Sequence, residues 1–181
     1  TRHQEWQGAY CGHLWEYLCH AIIPLGAKEG QRLEPLTQHK TQNRRIVKHA
    51  VPVKKGKLED MVAALEEGCY FLPSMSNFPV IDATVMEGND VFAFQMTVGS
   101  SHPPKAYQTA QLLNVIPAGK KLHLVWVVDS AKEGHICTAQ AFQQSKAAAE
   151  KVTAAQMSQL KALPQWLLKL SFSKESPFVK N

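Results

Sequence analysis

The sequence lacks the motifs of several large protein classes. It contains no GxxxxGK[ST] phosphate-binding loop, no GxGxxG signature and no kinase signature, so nothing in it predicts nucleotide hydrolysis. No apolar run reaches about 18 residues, so no membrane-spanning helix is predicted. The N-terminus has neither a basic leader with a hydrophobic signal region nor an initiator methionine. We therefore expect the chain to be a piece of a longer protein.

Cysteine is scarce, and the four cysteines form no CxxC pair. If the first segment is a helix, Cys11 and Cys19 lie roughly 12 Å apart, which is too far for a disulfide bond. Free thiols buried in a reducing compartment are the simplest interpretation. The Cys-Gly-His run at 11–13 and the His-Ile-Cys run at 135–137 lack standard zinc-ligand spacing, so zinc binding has little support.

The length and charge of the chain limit the architectures and the partners that it can have. With 181 residues, of which 45% are hydrophobic, the chain is long enough for one domain with a substantial core. The net charge of +5 is compatible with a polyanionic partner but does not establish one. We predict a single domain over residues 1–172, followed by a polar tail at 173–181.

Hydrophobic patterns predict helices packed on a β-sheet. Helices are predicted at 4–23, 57–67, 105–116 and 141–163. Strands are predicted at 31–36, 44–53, 69–72, 78–86, 91–98, 122–128 and 166–172. The first helix should bury a face that includes Tyr10, Leu14, Trp15 and Leu18, and the strand at 122–128 should be buried on both faces. This order predicts an α/β fold with a mixed central β-sheet flanked by helices.

The most informative segment is a predicted β-hairpin at 78–98. Two runs of β-branched and aromatic residues flank four turn-forming residues at 87–90. Closing the turn there puts Asp82 opposite Gln95, and the alternation of faces adds Thr97 to the same polar face. The other, apolar face consists of Ile81, Ala83, Val85, Phe92, Phe94 and Met96. A carboxylate, an amide and a hydroxyl on one spot of an apolar hairpin indicate a functional site.

Three ordered blocks of the sequence carry a family resemblance. They are Leu14–His20 with its glutamate, Phe71–Asp82, and Phe94–Val98 followed by His102-Pro103. A Glu-bearing helix, an Asp-bearing strand, a hairpin to a (Glu/Gln)-x-Lys strand, a helix and a buried strand resemble the PD-(D/E)xK restriction-endonuclease superfamily. Within it, the blocks are similar to the nuclease-like C-terminal domain of Crinkler effectors and to trypanosomatid retrotransposon hot spot proteins. The closing segment Leu163–Leu168 also fits.

The resemblance implies roles for four residues. Glu16 is the outer acidic residue, Asp82 is the metal-binding aspartate, and Gln95 and Thr97 occupy the two variable positions of the third motif. The implied cofactor is Mg²⁺ or Mn²⁺, held by Asp82, Gln95 and Glu16. The implied protein is a secreted effector or toxin that acts in the host nucleus on nucleic acid, DNA in the first place. An upstream NTPase module and host nuclear proteins are further implied partners, whereas a membrane is not.

Thr97 departs from the family pattern. Metal-assisted phosphodiester hydrolysis needs carboxylates for the metal, a nucleophilic water and positive charge near the phosphate. Gln95 offers only a neutral carbonyl oxygen, which should weaken Mg²⁺ binding. The hydroxyl of Thr97 cannot supply the charge of the family's lysine. Lys105, next to the loop that contains His102, and Lys121, before the buried strand, are alternative sources of that charge.

Several functions stay open at this point. The first is a Mg²⁺-dependent nuclease in which Asp82 holds the metal, Glu16 assists, Gln95 completes the shell and Thr97 positions water. The second is a catalytically decayed nuclease fold that binds host nuclear proteins or DNA, and the third is a structural domain that supports an upstream NTPase. A purely structural interpretation also stays open, with Asp82 accepting hydrogen bonds from Gln95 and Thr97. Glu16 and His20 would then be an ordinary i,i+4 surface pair.

Basic residues supply the candidate contacts to nucleic acid. A basic run is predicted to follow one strand and a helix edge, where it can contact phosphates: Arg44, Arg45, Lys48, Lys54, Lys55 and Lys57. From this run Arg44, Arg45, Lys54 and Lys55 are the candidate nucleic-acid contacts. The candidates also include Lys105 and His102 in the loop after the hairpin. A basic run is more often a solvated face, and a histidine in a Pro-rich loop is more often a turn residue, so both alternatives stay open.

Overall fold

A computed structural model describes residues 2–36, 42–74, 80–132, 134–145 and 151–171, with only the backbone described for residues 2–9. In these ranges the chain forms four α-helices and eight β-strands. The helices are α1 (Arg2–Ile22), α2 (Met61–Glu66), α3 (Ala106–Val115) and α4 (Ala154–Lys161). The strands are β1 (Gln31–Pro35), β2 (Arg44–Ile46), β3 (Val53–Gly56), β4 (Tyr70–Pro73), β5 (Ala83–Glu87), β6 (Asp90–Met96), β7 (Lys121–Asp129) and β8 (Gln165–Leu170).

The eight strands form one mixed sheet, which confirms the predicted α/β class. Their order is β2-β1-β8-β7-β6-β5-β4-β3. The pairs β3–β4, β6–β7 and β7–β8 are parallel, and the other neighbours are antiparallel. Parallel pairs need crossover connections, and α3 supplies the one between β6 and β7.

The sheet must be curled, because the connection between its two edge strands is too short to cross a flat sheet. Residues 47–52 lead from β2 at one edge to β3 at the other. Seven residue steps from Ile46 to Val53 can span at most about 25 Å, whereas a flat eight-stranded sheet would be about 34 Å wide. The predicted single strand over 44–53 is therefore wrong. Val47 adopts a positive φ of 52°, which interrupts the extended backbone, and the chain then crosses to the other edge.

Two hydrophobic clusters occupy the two faces of the sheet. On one face α1 packs through Trp15 and Cys19, and Ile23, the residue that follows the helix, is buried with them. On the other face lie α2, α3 and α4, with Met61 and Leu160 among the buried residues. Strand β7 contributes alternate side chains to both clusters, and this confirms the prediction that it is buried on both faces. Helix α1, which carries Glu16, therefore lies on one face of the sheet, and α2, α3 and α4 lie on the other.

Two helix predictions need correction. In α1, Tyr10 is 71% exposed and Leu14 is 47% exposed, so the buried stripe is narrower than the apolar pattern indicated. The predicted helix at 141–163 is too long, since residues 141–145 are not helical and α4 begins only at Ala154. Thr153 caps α4, because its side chain accepts a hydrogen bond from the Gln156 backbone and the Gln156 side chain accepts one from Thr153. Residues 146–150, Phe172 and the tail at 173–181 lie outside the described residues.

Thr84 provides a stability test of the core. It is fully buried, and its hydroxyl has no hydrogen-bond partner among the described residues. A buried hydroxyl without a partner costs free energy, so Thr84→Val should raise the free energy of unfolding by about 1 kcal/mol. Thr109→Val is the matched control: Thr109 is equally buried, but its hydroxyl donates to the carbonyl of Lys105 at 2.9 Å. Chemical unfolding should show Thr109→Val less stable than the wild type, and equal destabilisation by both changes would contradict the argument.

Candidate active site at the end of the hairpin

The hairpin has the predicted register. Val85 pairs with Phe92, as expected from closing the turn between the two apolar runs. The turn itself contains only residues 88 and 89, so Glu87 and Asp90 form the last strand pair rather than belonging to the loop. Gly88 takes a positive φ of 61°, which a glycine adopts without steric cost at the first central position of such a turn.

Asp82 lies opposite Gln95, as predicted. The backbone N–H of Asp82 donates to the carbonyl of Phe94 at 2.8 Å and extends the ladder by one residue. Oδ2 of Asp82 accepts hydrogen bonds from Nε2 of Gln95 at 2.8 Å and from the backbone N–H of Met96 at 2.6 Å. Oδ1 accepts none from the described part of the chain, and Asp82 and Gln95 are both partly exposed. One carboxylate oxygen is therefore fixed and the other is available to a ligand.

Ile81 does not lie on the predicted face. It packs in the cluster beneath α2, α3 and α4, together with Val91 and Ala93. The strand begins only at Ala83, so residues before it do not follow the alternation of faces. Because Asp82 precedes the regular strand, its carboxylate reaches the end of β6 and does not follow the alternation between the two faces.

The electrostatic environment of Asp82 is unusual for an aspartate. Burial raises its pKa from 3.8 to about 7; the hydrogen bond from Met96 opposes this rise and the negative charge of Glu16 adds to it. At neutral pH the carboxyl is close to half protonated. Removing its proton creates excess negative charge beside Glu16, and a bound cation would relieve that charge.

Glu16 lies on α1 together with His20, and the pair is more than a surface contact. Oε1 of Glu16 is 3.6 Å from Nε2 of His20, and Nδ1 of His20 is 3.1 Å from the hydroxyl of Tyr70 on β4. Burial lowers the pKa of His20, while Glu16 opposes that shift. Tyr70 is fully buried, and sequence patterns marked it only as an apolar strand residue. Its hydroxyl is thus a site group that the sequence did not reveal.

The Cys19 thiol is buried among negative charges. Burial raises the pKa of its thiol, and the negative charges of Asp82, Glu16 and Asp129 raise it further. Asp129, the last residue of β7, is thus a third carboxylate whose charge reaches Cys19. In the sequence, Asp129 stands out only by its position at a predicted strand end, where polar side chains often face solvent.

Thr97 is separated from the predicted polar group. It is buried, and its hydroxyl accepts a hydrogen bond from the backbone N–H of Gly99 at 3.1 Å. Among the described contacts this hydroxyl binds neither Asp82 nor Gln95, so the predicted cluster of three is a pair. The next residue, Val98, accepts a hydrogen bond from Nζ of Lys132, which sequence reasoning did not single out.

The two lysines considered as replacements for the family's lysine lie in different places. Burial lowers the pKa of His102, and the positive charge of Lys105 lowers it further, so these two groups are near each other. His102 and Gln95 also line the same small pocket. Lys121 pairs with Asp90 at the opposite end of the hairpin, five strand positions or about 16 Å from the level of Gln95. Lys105 is thus near His102 but lines a different pocket from Gln95, and Lys121 is far from the site.

The four basic residues predicted to form one row do not do so. Arg44 and Arg45 lie on β2, whereas Lys54 and Lys55 lie on β3 at the other edge of the sheet. Nη2 of Arg44 donates to Oδ2 of Asp90 at 2.6 Å, and Nζ of Lys54 donates to Glu67 at 3.0 Å. Two of the four charges are therefore already paired within the protein.

The donors near Asp82 fit Mg²⁺ in kind. Carboxylate and amide oxygens are the hard ligands that Mg²⁺ prefers, and one or two carboxylates often suffice when waters and substrate phosphates complete the shell. Asp82, Glu16 and the carbonyl of Gln95 are such donors. In the described ranges there is no group of three or more His, Cys, Asp or Glu side chains that could hold a metal ion. The described side chains therefore do not form a complete ligand set for a metal ion by themselves.

Comparisons with known proteins leave the family question open. No protein-family model matches the chain, and no curated protein or solved structure is significantly similar to it. The described helices include none that is long and apolar enough to cross a membrane. The resemblance to PD-(D/E)xK nucleases and Crinkler effectors accordingly stays a prediction from the sequence blocks.

Proposed function

We propose that this chain is a nuclease-like domain of the PD-(D/E)xK type that binds nucleic acid, DNA in the first place, and cleaves it with Mg²⁺. One observation carries the proposal. The Asp82 carboxylate is held at the end of the hairpin by Gln95 and Met96, near enough to Glu16 of α1 for the two charges to interact. Two carboxylates from separate elements that meet at a partly open position are what metal-assisted phosphodiester hydrolysis requires.

The order of elements around these residues supports the same proposal. Helix α1 precedes the antiparallel strands β4, β5 and β6, and α3 then leads to β7, which is parallel to β6. The resemblance implies this order of a helix, a hairpin, a helix and a buried strand. Glu16 on the helix and Asp82 and Gln95 on the hairpin occupy the corresponding elements.

The residues of the site have distinct tasks in the proposed reaction. Asp82 and Glu16 would hold Mg²⁺, which supplies Lewis-acid activation of the phosphate and of a water molecule. Gln95 and the Met96 backbone hold Oδ2, so Oδ1 keeps a fixed direction. Since the pKa of Asp82 is about 7, ligand binding requires loss of a proton in the neutral range. Lys105 is a cation near the His102–Gln95 pocket that can oppose the phosphate charge.

A second candidate function is nucleic-acid or protein binding without cleavage. The observation that favours it is the hydroxyl of Thr97, which is engaged with Gly99 and supplies no positive charge. In this case the Asp82–Gln95 pair is a structural remnant, and the domain acts by occupying DNA or a host nuclear protein.

The resemblance also leads us to propose the biological setting. The domain is then the distal module of a secreted effector or toxin that acts in the host nucleus, joined in the full protein to an NTPase module. Nuclear accumulation of a tagged form in host cells would support this setting, and exclusion from the nucleus would contradict it.

Plasmid cleavage distinguishes the two candidate functions. We expect the wild type to nick supercoiled DNA with Mg²⁺ or Mn²⁺ and not with EDTA. Asp82→Asn removes the ligand charge and should lower the rate at least about 100-fold, as loss of a central catalytic group does. Glu59→Gln is the matched control, because it removes an exposed carboxylate that pairs only with Lys57 at the surface.

The outcomes have clear meanings. Wild-type activity that depends on the metal and on Asp82 supports the nuclease. Equal absence of nicking by the wild type and by Asp82→Asn contradicts the enzymatic proposal. DNA binding by that inactive wild type would then support the binding module instead.

A further inference from the structure

Two arginines face each other on the exposed side of the edge strand β2 and its neighbour β1. Arg32 and Arg45 are register partners in the antiparallel pair, and both are exposed. Side chains directly opposite on antiparallel strands have Cβ atoms about 5 Å apart, and like charges at that separation destabilise the pair. Their neighbours Leu33 and Ile46 are buried on the other face. Arg32 and Arg45 therefore repel each other, and neither side chain is part of the buried core.

Both guanidinium groups are held by neutral oxygen atoms. Nη1 of Arg45 donates to the backbone carbonyls of Glu29 at 2.9 Å and Gly30 at 3.4 Å. When the Asn43 amide is oriented with its oxygen toward Arg32, that oxygen accepts from Nε at 3.2 Å and Nη2 at 2.7 Å. No carboxylate of the described residues lies within 4.0 Å of either group. These contacts fix the two side chains without neutralising them.

Lys48 adds a third charge to this surface. It is exposed, has no ion-pair partner among the described carboxylates, and packs against the same glycine as Arg45. A Cβ built on Gly30 would come within 3.1 Å of both Cβ of Arg45 and Cγ of Lys48. Gly30, with a φ of 76°, thus lets the two basic side chains approach each other. We call Arg32, Arg45 and Lys48 the β1–β2 basic surface.

We propose that the β1–β2 basic surface binds the phosphate backbone of nucleic acid. This inference rests on the proposed function, since it names the surface by which the same domain engages its substrate. A guanidinium presents a planar fork of N–H donors that matches a phosphate, and two positioned forks can contact neighbouring phosphates on one strand. The surface replaces the basic run predicted from the sequence, of which Arg45 and Lys48 are retained.

The chain connects this surface to the Asp82 site. Gly26 packs so closely on the backbone of His49 that an added Cβ would be 2.7 Å from its carbonyl carbon. Lys48 is the residue before His49, and Gly26 lies ten residues after Glu16 along α1 and the short turn that follows. At a helical rise of about 1.5 Å per residue, this is about 15 Å. With phosphates spaced about 3.4 Å along the axis per strand, the path from Gly26 to Glu16 has the length of four to five nucleotides.

Salt-dependent DNA binding tests the surface. The probe is a fluorescein-labelled 20-base-pair duplex, measured by anisotropy in EDTA so that no cleavage occurs. Arg32→Gln/Arg45→Gln/Lys48→Gln should weaken binding at least about tenfold and make the slope of log K against log salt shallower by about 2.7, for three lost phosphate contacts. Arg32→Lys/Arg45→Lys retains the charge without the fork and should keep most of the slope but lose affinity.

The matched control removes the same charge from the other edge strand, β3, and from the residue that follows it. Lys54→Gln/Lys55→Gln/Lys57→Gln also lowers the net charge by three, and it should leave the slope nearly unchanged. An equal loss in both triple variants means a net-charge effect and overturns the inference. A wild-type slope retained by the β1–β2 variant also overturns it, as does binding of the wild type to anionic lipid vesicles but not to the duplex.

The same measurements separate this inference from the proposed function. Binding that depends on the β1–β2 basic surface, with no plasmid cleavage in Mg²⁺, leaves the surface supported and contradicts the nuclease. Cleavage that depends on Asp82, with unchanged binding by the β1–β2 variant, supports the nuclease and contradicts the role of the surface. Thermal unfolding of each variant confirms that exposed substitutions have not disrupted the fold.

Discussion

Asp82→Asn should stabilise the fold at pH 8 while it abolishes metal-dependent cleavage. The carboxyl of Asp82 has a pKa of about 7 in the folded protein, mainly because of burial, and an ordinary value near 3.8 when unfolded. The folded state therefore binds the proton more tightly, and the stability of the wild type falls as pH rises from about 4 through 7. Asparagine carries no charge to bury and can still accept the Met96 hydrogen bond through its oxygen.

The expected gain is up to about 4 kcal/mol in the free energy of unfolding at pH 8, because the pKa rises from 3.8 to about 7 and each pKa unit is worth about 1.4 kcal/mol, with no difference near pH 3.5. Urea unfolding of the wild type and the variant at several pH values measures it. A variant that is less stable than the wild type at pH 8 would show that the carboxylate is satisfied by the protein alone. A gain in stability with loss of cleavage is what a residue kept for function should show.

Asp90→Asn should have the opposite effect on stability. Asp90 lies eight residues further along the same hairpin, where Oδ2 accepts from Arg44 at 2.6 Å and Oδ1 contacts Nε2 of His123 at 2.8 Å. Nε1 of Trp166 donates to Nδ1 of His123 at 3.0 Å. An indole nitrogen only donates, so His123 carries its proton on Nε2 and donates it to Asp90. Asparagine would turn an N–H₂ group toward one of these donors.

We expect Asp90→Asn to lower the free energy of unfolding by about 2–3 kcal/mol at pH 7, because a charged hydrogen-bond acceptor is lost and a partly buried donor is left without a partner. Burial alone would raise the pKa of Asp90, but the hydrogen bonds from Arg44 and His123 hold it below its ordinary value. Its contribution is thus present above the unfolded pKa near 3.8 and is lost as pH falls through the folded value.

The pH profiles of the two variants distinguish the roles of the Asp82 and Asp90 carboxylates. The difference between Asp90→Asn and the wild type should shrink in acid, whereas that of Asp82→Asn should grow toward alkaline pH. Glu59→Gln, at an exposed surface pair, serves as the control and should follow the wild type throughout. Equal behaviour of the two hairpin variants would contradict the assignment of one carboxylate to a ligand and the other to the fold.

Local patterns were sufficient for the hairpin. Its residues alternate between β-branched or aromatic and polar, and a glycine in the turn fixes the pairing, so the Asp82–Gln95 contact could be derived by counting. The same counting failed for Ile81, because the regular strand begins only at Ala83. Thr97 lies just beyond the other strand end, and its hydroxyl turns to Gly99.

Long-range contacts were beyond such patterns. Helix propensity over 141–163 did not reveal that the helix would start only at the Thr153 cap. The basic residues at 44–55 looked like one run, but a positive φ at Val47 divides them between opposite edges of the sheet. The pairing of Arg32 with Arg45 depends on which strand lies beside β1, and spacing along the chain does not contain that information.

The α/β class and the contact between Asp82 and Gln95 could be derived from the sequence, because both depend on interactions between residues close in the chain. Which charges remain unpaired depends instead on contacts between distant parts of the chain. Arg44 forms an ion pair with Asp90, and Lys54 forms one with Glu67. The Thr97 hydroxyl accepts a hydrogen bond from Gly99, whereas Arg32 and Arg45 lie opposite each other on neighbouring strands. A side chain becomes a candidate for function only when the folded protein leaves its charge uncompensated, and that balance is set by the neighbours that folding supplies.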